Sequence, residues 1–138
     1  MTLPSRWCAL LHSPLVRWLC LLLLCAAYLQ GGLTKLSGFD GAVAEMRHFG
    51  LAPAEPLAVL VIAGELGASL MILTGRARWL GAAGLALFTL AATLVANRYW
   101  EMQGMERFMA ANAFYEHLGL AGAFLLVACQ DLDRRQRI

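Results

Sequence analysis

The architecture follows from one apolar stretch, Leu57-Ala-Val-Leu-Val-Ile-Ala-Gly-Glu65-Leu-Gly-Ala-Ser-Leu-Met-Ile-Leu-Thr74, which contains a single acid. As a helix rising about 1.5 Å per residue, this stretch is long enough to cross most of a bilayer core. A carboxylate at that depth costs roughly 2.5 kcal/mol or more to insert. We therefore expect Glu65 to face protein or water rather than lipid.

The composition of the whole chain is that of an integral membrane protein. Of its 138 residues, 60% are hydrophobic and 14% are charged, and the mean hydropathy is +0.64. A soluble domain carries about 25% charged and 45–50% apolar residues, so the surplus apolar surface must face lipid. The net charge of +2 is too small and too scattered for a nucleic-acid-binding protein.

Four long apolar runs predict an all-α fold, a transmembrane four-helix bundle with short amphipathic interfacial segments on its outer side. We expect the chain, residues 1–138, to be a single membrane domain. The tight turn Gly75–Arg78 makes the second and third helices antiparallel neighbours. The predicted bounds are about 15–34, 56–74, 79–97 and 112–130 for the helices, 36–55 and 98–111 for the outer connections, and 131–138 for a solvated tail.

The distribution of lysine and arginine predicts the orientation in the membrane. The outer connections and adjoining helix ends carry only Lys35, Arg47, Arg98 and Arg107. We expect both termini to be cytoplasmic, in a bacterial cytoplasmic membrane. The side with both termini and the 75–78 turn carries Arg6, Arg17, Arg76, Arg78, Arg134, Arg135 and Arg137.

Polar side chains are predicted to gather in the outer half of the bundle. Asn112 and Glu116 are four residues apart and share a helix face, and Thr89, Thr93 and Asn97 form a stripe on another helix. Two interpretations remain open: these groups line a ligand site around Glu65, or they bond one another and lock helix packing. The candidate ligand-binding residues are Glu65, Lys35, Thr93, Asn97, Asn112, Glu116 and His117.

A quinone is the ligand that this polar set fits best, because its headgroup needs hydrogen-bonding groups and a proton acceptor reached from lipid. Haem held by two histidines is disfavoured, because only His117 lies within the predicted bundle. A metal site has only a weak signal, at His48, Met102, Met105 and Met109, where thioethers suit Cu(I). The cysteines form no C-x-x-C pair, which argues against a thiol oxidoreductase.

Five short motifs follow one another over roughly residues 15–130. They are Gly31-Gly-Leu-Thr-Lys35-Leu, His48-Phe-Gly-Leu-Ala-Pro53, Gly64-Glu65-Leu-Gly-Ala, Leu73-Thr-Gly-Arg76 and Glu116-His-Leu-Gly-Leu-Ala-Gly122. Together these motifs resemble the DoxX family of small four-helix membrane proteins. The resemblance implies a four-helix bundle associated with membrane redox systems, some members being subunits of quinone-linked oxidoreductases. It carries over Lys35 and Glu65.

The first functional hypothesis is therefore an accessory subunit of a quinone-linked membrane redox system. Its expected partners are membrane lipid and either larger redox-complex subunits or a second copy of the chain. Two alternatives stay open: a stand-alone quinone- or small-molecule-binding protein, and a structural or assembly protein with no site of its own. Whether the chain is an enzyme is undecided, because it lacks a complete set of redox cofactor ligands.

Overall fold

A computed structural model describes residues 4–138, which form helices and connecting turns with no strand in that range. Four of the helices are long and apolar enough to cross a membrane by length and composition. The predicted all-α membrane bundle is confirmed. In chain order the elements are α1 (Ser5–Leu11), α2 (Pro14–Ser37), α3 (Phe39–His48), α4 (Ala54–Thr74), α5 (Arg78–Ala96), a 3₁₀ turn (Tyr99–Glu101) and α6 (Gly104–Gln136).

The long helices pack in sequence, α2 against α4, α4 against α5, and α5 against α6. Neighbours run antiparallel: near the start of α2, the Trp18 indole donates to the Leu73 carbonyl near the end of α4, at 3.2 Å. Between α2 and α6 the rings of Tyr28 and Phe124 meet edge to face, with centroids 5.3 Å apart. The shared core is apolar, and its buried members include Leu21, Cys25, Tyr28, Ile72, Leu85 and Phe124.

The bundle has two unlike ends. At the turn end, α2 begins and α6 ends beside the turn between α4 and α5. There Gly75 adopts a left-handed conformation, with φ of 79°, that ends α4. The Arg78 side chain donates to the Ile72 carbonyl at 2.7 Å and satisfies an orphan acceptor of that helix end.

At the connection end, α2 ends, α4 and α6 begin, and α3 packs against α4 and α2. α3 is the amphipathic helix expected in this connection. Its apolar side buries Val43 and Met46 against Ala58 and Ile62 of α4. This contact places α3 beside the first half of α4.

The last helix is longer than predicted. α6 begins at Gly104 instead of residue 112 and continues to Gln136 instead of residue 130. Much of the predicted outer connection 98–111 and of the solvated tail 131–138 is therefore helical. The tail continues as helix because Asp131 is buried, and its carboxylate accepts the Trp79 backbone N–H of α5 at 3.1 Å.

Candidate functional site

A cavity of about 630 Å³ lies in the half of the bundle nearer the connection end. Its walls come from α2, α4, α5 and α6, and α3 contributes to its rim. Most of the wall is apolar, with Phe88, Ala92, Val95 and Leu120 among the lining residues. The polar lining residues are Tyr28, Lys35, Glu45, Glu65, Thr89, Asn97, Glu116 and His117.

Helical periodicity brings Glu65 to this cavity. The buried positions of α4 recur three or four residues apart, and Glu65 lies between Ile62 and Ser69 in that series. Its side chain is 7% exposed. The carboxylate thus faces the interior of the bundle, where its charge requires a partner.

Lys35 of α2 is that partner. Its Nζ lies 3.2 Å from Oε1 and 3.3 Å from Oε2 of Glu65. Side chains on a helix lean towards its N-terminus, so Lys35 extends back over the preceding turn, at Gly31. A Cβ at Gly31 would lie 3.4 Å from Glu65 Oε2 and 3.5 Å from Lys35 Nζ. These are ordinary van der Waals distances, so Gly31 lies directly against the ion pair.

The next glycine brings α2 and α4 together. A Cβ at Gly32 would lie 2.7 Å from the Leu66 side chain, closer than side chains pack. Small residues of this kind let membrane helices approach each other. Gly32 thus allows the close contact between the helices, next to the glycine that lies against the two charges.

Hydroxyl and amide groups on α5 form a second polar layer. The Thr89 hydroxyl donates to the Leu85 carbonyl at 2.6 Å and also meets the Tyr28 hydroxyl. One turn further along α5, the Asn97 amide donates to the Thr93 hydroxyl at 3.2 Å. Thr93 is fully buried, so its role is to hold Asn97 at the cavity wall.

His117 reaches the cavity from α6. Its Nδ1 makes a hydrogen bond with the Ala113 carbonyl one turn earlier in the same helix. The ring is half-buried and lines the cavity beside Glu116. The bond to the backbone fixes the ring orientation without help from another helix.

Five of the seven predicted site residues line this one cavity: Lys35, Glu65, Asn97, Glu116 and His117. Their predicted ligand-binding role remains a prediction.

Two predicted site residues lie outside the lining. Thr93 lies behind Asn97, and Asn112 is exposed on α6. Asn112 shares a face with Glu116, as its spacing predicts, but it lies one turn nearer the connection end, beyond the cavity wall. Asn112 therefore does not line this cavity, and its predicted ligand-binding role stays a prediction.

Two lining residues were missed at the sequence level. Tyr28 lies on the buried face of α2 with Leu21, Cys25 and Gly32, and this spacing would have predicted it. Glu45 lies next to buried Met46 at the edge of the apolar side of α3. Only the packing of α3 over the bundle brings Glu45 to the cavity rim.

The weak metal signal stays a prediction. Within residues 4–138, no three His, Cys, Asp or Glu side chains gather as ligands for a metal ion. The His48 ring stacks edge to face on Phe49, with centroids 4.9 Å apart. On the other side of the connection end, Met102 is half-buried, and Met105 and Met109 are exposed.

The arrangement suits a small molecule with an apolar body and a polar head. Ligand sites in proteins are mostly apolar concavities with a few placed polar groups. Here the apolar wall of α5 and Leu120 would contact the body. The ion pair, Asn97 and His117 would meet the head.

Comparison with known proteins identifies the family. The profile of the DoxX family matches residues 19–98, which include both Lys35 and Glu65. The chain is similar to the inner membrane protein YphA of Escherichia coli (strain K12), with 30% identity over 109 residues. That match covers 75% of this chain and 78% of YphA. No solved structure showed a significant match. This chain is an integral membrane protein, and it belongs to the DoxX family.

Proposed function

We propose that this protein binds a quinone-type molecule in the cavity beside Lys35 and Glu65, as an accessory subunit of a quinone-linked redox system. The observation that carries the binding role is a mostly apolar cavity of about 630 Å³ with one ion pair in its wall. Because its relative YphA is an inner membrane protein, we place the system in the bacterial inner membrane.

The size and chemistry of the cavity support this ligand class. Sites for small molecules typically enclose about 300–1,000 Å³, a range that includes this cavity. A quinone ring is flat and apolar apart from its oxygens, and its alkyl tail is compatible with lipid. The residues Phe88, Ala92 and Val95 offer it an apolar wall on α5.

A route from the bilayer is also available. The long helices pack in the order α2, α4, α5 and α6, and the cavity is lined by both the first and the last of them. Tyr28 and Phe124 join α2 to α6 on the side of the cavity towards the turn end. Beyond this aromatic contact, we propose that a ligand enters between the two helices.

Direct binding measurements test the proposal. The purified protein in detergent is titrated with a decyl-substituted benzoquinone, and affinity is compared with that of Ala92→Trp, which fills the cavity. Leu94→Trp is the matched control, because Leu94 is exposed on the same helix and outside the lining. We expect wild type and the control to bind and Ala92→Trp to lose binding. Equal affinity in all three, or no binding by wild type, contradicts the proposal.

The polar half of the proposed site has its own test. Glu65→Gln releases the Lys35 ammonium, a donor from which a quinone carbonyl can accept, and we expect quinone affinity to rise about tenfold, the effect of one charged hydrogen bond. Glu55→Gln is the control on the same helix, because Glu55 is exposed and its pair with Arg47, at 3.9 Å, lies at the surface. An unchanged affinity in Glu65→Gln would show that the ion pair takes no part in quinone binding.

The accessory role is tested by isolation from native membranes. We expect a tagged copy of the chain to co-purify with a subunit that carries a redox cofactor with visible absorbance. Recovery of the chain alone, still able to bind the quinone, would favour a stand-alone binding protein instead.

A structural protein is the second candidate, and one observation favours it. Within residues 4–138, no buried side-chain nitrogen or oxygen lacks a hydrogen-bond partner. Lys35 and Glu65 form an ion pair, and the Thr93 hydroxyl accepts a hydrogen bond from the Asn97 amide. Helix packing alone would account for these contacts if no quinone bound in detergent or in lipid vesicles.

A further inference from the structure

The hydroxyl groups of Tyr28 and Thr89 in the cavity wall already donate their hydrogens within the protein. A hydroxyl has one hydrogen, and that of Thr89 goes to the Leu85 carbonyl. In its contact with Tyr28, Thr89 must therefore accept, so the Tyr28 hydroxyl is the donor. What Tyr28 can still offer to a bound molecule is the lone pair of its oxygen.

The same accounting applies to His117. The Ala113 carbonyl can only accept, so the hydrogen in its bond with His117 must be on Nδ1. In a neutral imidazole the other nitrogen, Nε2, then carries none. His117 therefore presents an acceptor, and its tautomer is set by the backbone of its own helix.

Carboxylates add further acceptors at the rim. Glu45 of α3 and Glu116 of α6 both line the cavity and are exposed, and an ionised carboxylate only accepts. Among the described residues that line the cavity, Lys35 is the only lysine or arginine, and both of its observed hydrogen bonds go to Glu65. By the same count Asn97 keeps one of its two amide hydrogens and Lys35 one of its three. Acceptors in the cavity wall therefore outnumber uncommitted donors.

We infer that the cavity selects the reduced, hydroxyl-bearing form of its ligand, a hydroquinone, over the oxidised quinone. This inference rests on the proposed function. A hydroquinone brings two O–H donors to a wall of acceptors. A quinone brings only carbonyl acceptors, which would leave acceptors facing each other without a hydrogen between them. Sites built to bond a hydroxyl discriminate strongly against analogues that lack it.

His117 is the specificity residue in this arrangement. It is held by α6 alone, lines the cavity, and has one nitrogen left to accept a hydroxyl hydrogen. Tyr28 and the carboxylate of Glu116 are further acceptors in the wall. Glu65 contributes less directly, because its two oxygens share the Lys35 ammonium.

Three probes with the same ring and decyl tail test the selectivity: the benzoquinone, its hydroquinone and the dimethyl ether of that hydroquinone. Affinities are measured anaerobically on the full chain in detergent. The ether keeps the ring and both oxygens but has no O–H. We expect the hydroquinone to bind about tenfold or more tightly than either of the others, as expected for at least one net hydrogen bond.

The outcomes distinguish failure of this inference from failure of the proposed function on which it rests. Equal affinity for all three probes, or tighter binding of the quinone, overturns the selectivity and leaves the quinone-binding role intact. Failure of every probe to bind overturns both. The comparison uses wild-type protein, so its result does not depend on the folding of a variant.

Substitutions at His117 then locate the acceptor. We expect His117→Phe to lower hydroquinone affinity about tenfold while the ether binds as before. His117→Gln, which retains an acceptor oxygen, should restore part of the loss. His48→Phe is the control, because His48 lies outside the lining. Equal loss for the hydroquinone and the ether in His117→Phe would show that the ring only shapes the cavity.

Discussion

At the scale of single residues, the unusual feature is an acid held midway along a membrane helix. Glu65 remains there because the Lys35 ammonium compensates its charge. A buried pair of this kind is costly to break from either side, because the remaining charge loses its compensation. Replacing both charges by apolar groups is often harmless.

This asymmetry gives a prediction for stability. We expect Lys35→Met to lower the free energy of unfolding by about 3 kcal/mol, because Glu65 is left buried with no cation. The double variant Lys35→Met with Glu65→Met should recover most of the loss. Thermal denaturation in a fixed detergent, followed by circular dichroism, measures both.

An exposed ion pair supplies the control for that prediction. Arg47 and Glu55 lie 3.9 Å apart with side chains 68% and 71% exposed, and such pairs contribute little. Arg47→Met should therefore leave the melting temperature unchanged. An unchanged melting temperature in Lys35→Met would show that the buried ion pair does not stabilise the fold.

At the scale of helices, α4 and α5 make a close backbone contact near the turn end. A Cβ at Gly81 would lie 2.8 Å from the Ala68 carbonyl and 3.0 Å from the Met71 side chain. The Ala68 carbonyl belongs to the helix backbone and cannot move aside alone. The separation of these two helices is therefore set by the absence of a side chain at Gly81.

Alanine substitution tests this contact. We expect Gly81→Ala to destabilise the protein by about 1–3 kcal/mol, because the added methyl group forces α4 and α5 apart. Gly84→Ala is the matched control on the same helix, where nothing lies within 4 Å of the new atom. There the higher helix propensity of alanine should leave stability equal or slightly raised. Equal effects of the two changes would contradict the close-contact explanation.

The start of α5 depends on a side chain from α6. Ala77 precedes α5 and has no side-chain acceptor, so Asp131 accepts the Trp79 N–H in its place. Arg135 donates to the same carboxylate oxygen at 3.0 Å and fixes its position. The turn end is thus joined to the last turns of α6.

Removal of this cap has a defined cost. We expect Asp131→Ala to lower the free energy of unfolding by about 1 kcal/mol, the usual effect of losing a helix cap. Asp133→Ala is the control, because Asp133 is exposed two residues further on. Denaturation curves of the two variants in the same detergent make the comparison. Identical curves would show that the cap has no effect on stability.

At the scale of the whole molecule, the basic residues are divided unequally between the two ends of the bundle. The fold places the start of α2, the end of α6 and the turn 75–77 at one end, which carries seven arginines, and the other four basic residues lie towards the opposite end. Lys35 also pairs with Glu65, which reduces its influence on insertion. The charge difference between the two ends therefore favours the turn end as the cytoplasmic one.

Reporter fusions check that orientation. We expect a fluorescent protein that matures only in the cytoplasm to be active when fused after Ile138. Alkaline phosphatase, active only outside the cytoplasm, should be inactive at the same position. Active phosphatase there would reverse the topology and would place the cavity in the inner half of the membrane.

The sequence alone was enough to predict four spanning helices and five residues of the cavity wall. A membrane helix is recognised from a run of 18 or more apolar residues, so the long apolar runs identify the helices before any contact is known. The acid in α4 and the lysine at the end of α2 are conspicuous for the same reason, since each is costly in lipid. These features are local, and they can be inferred from neighbours along the chain.

What only the tertiary structure decided was which polar groups meet. It paired Lys35 with Glu65, left Asn112 outside the cavity and brought Glu45 to the rim from α3. It also buried Asp131, which composition alone assigned to a solvated tail. The physical reason is that helix periodicity specifies only which residues share a face of one helix. The depth and rotation of one helix against another depend on close packing between segments that are distant in the chain, as at Gly32 and Gly81.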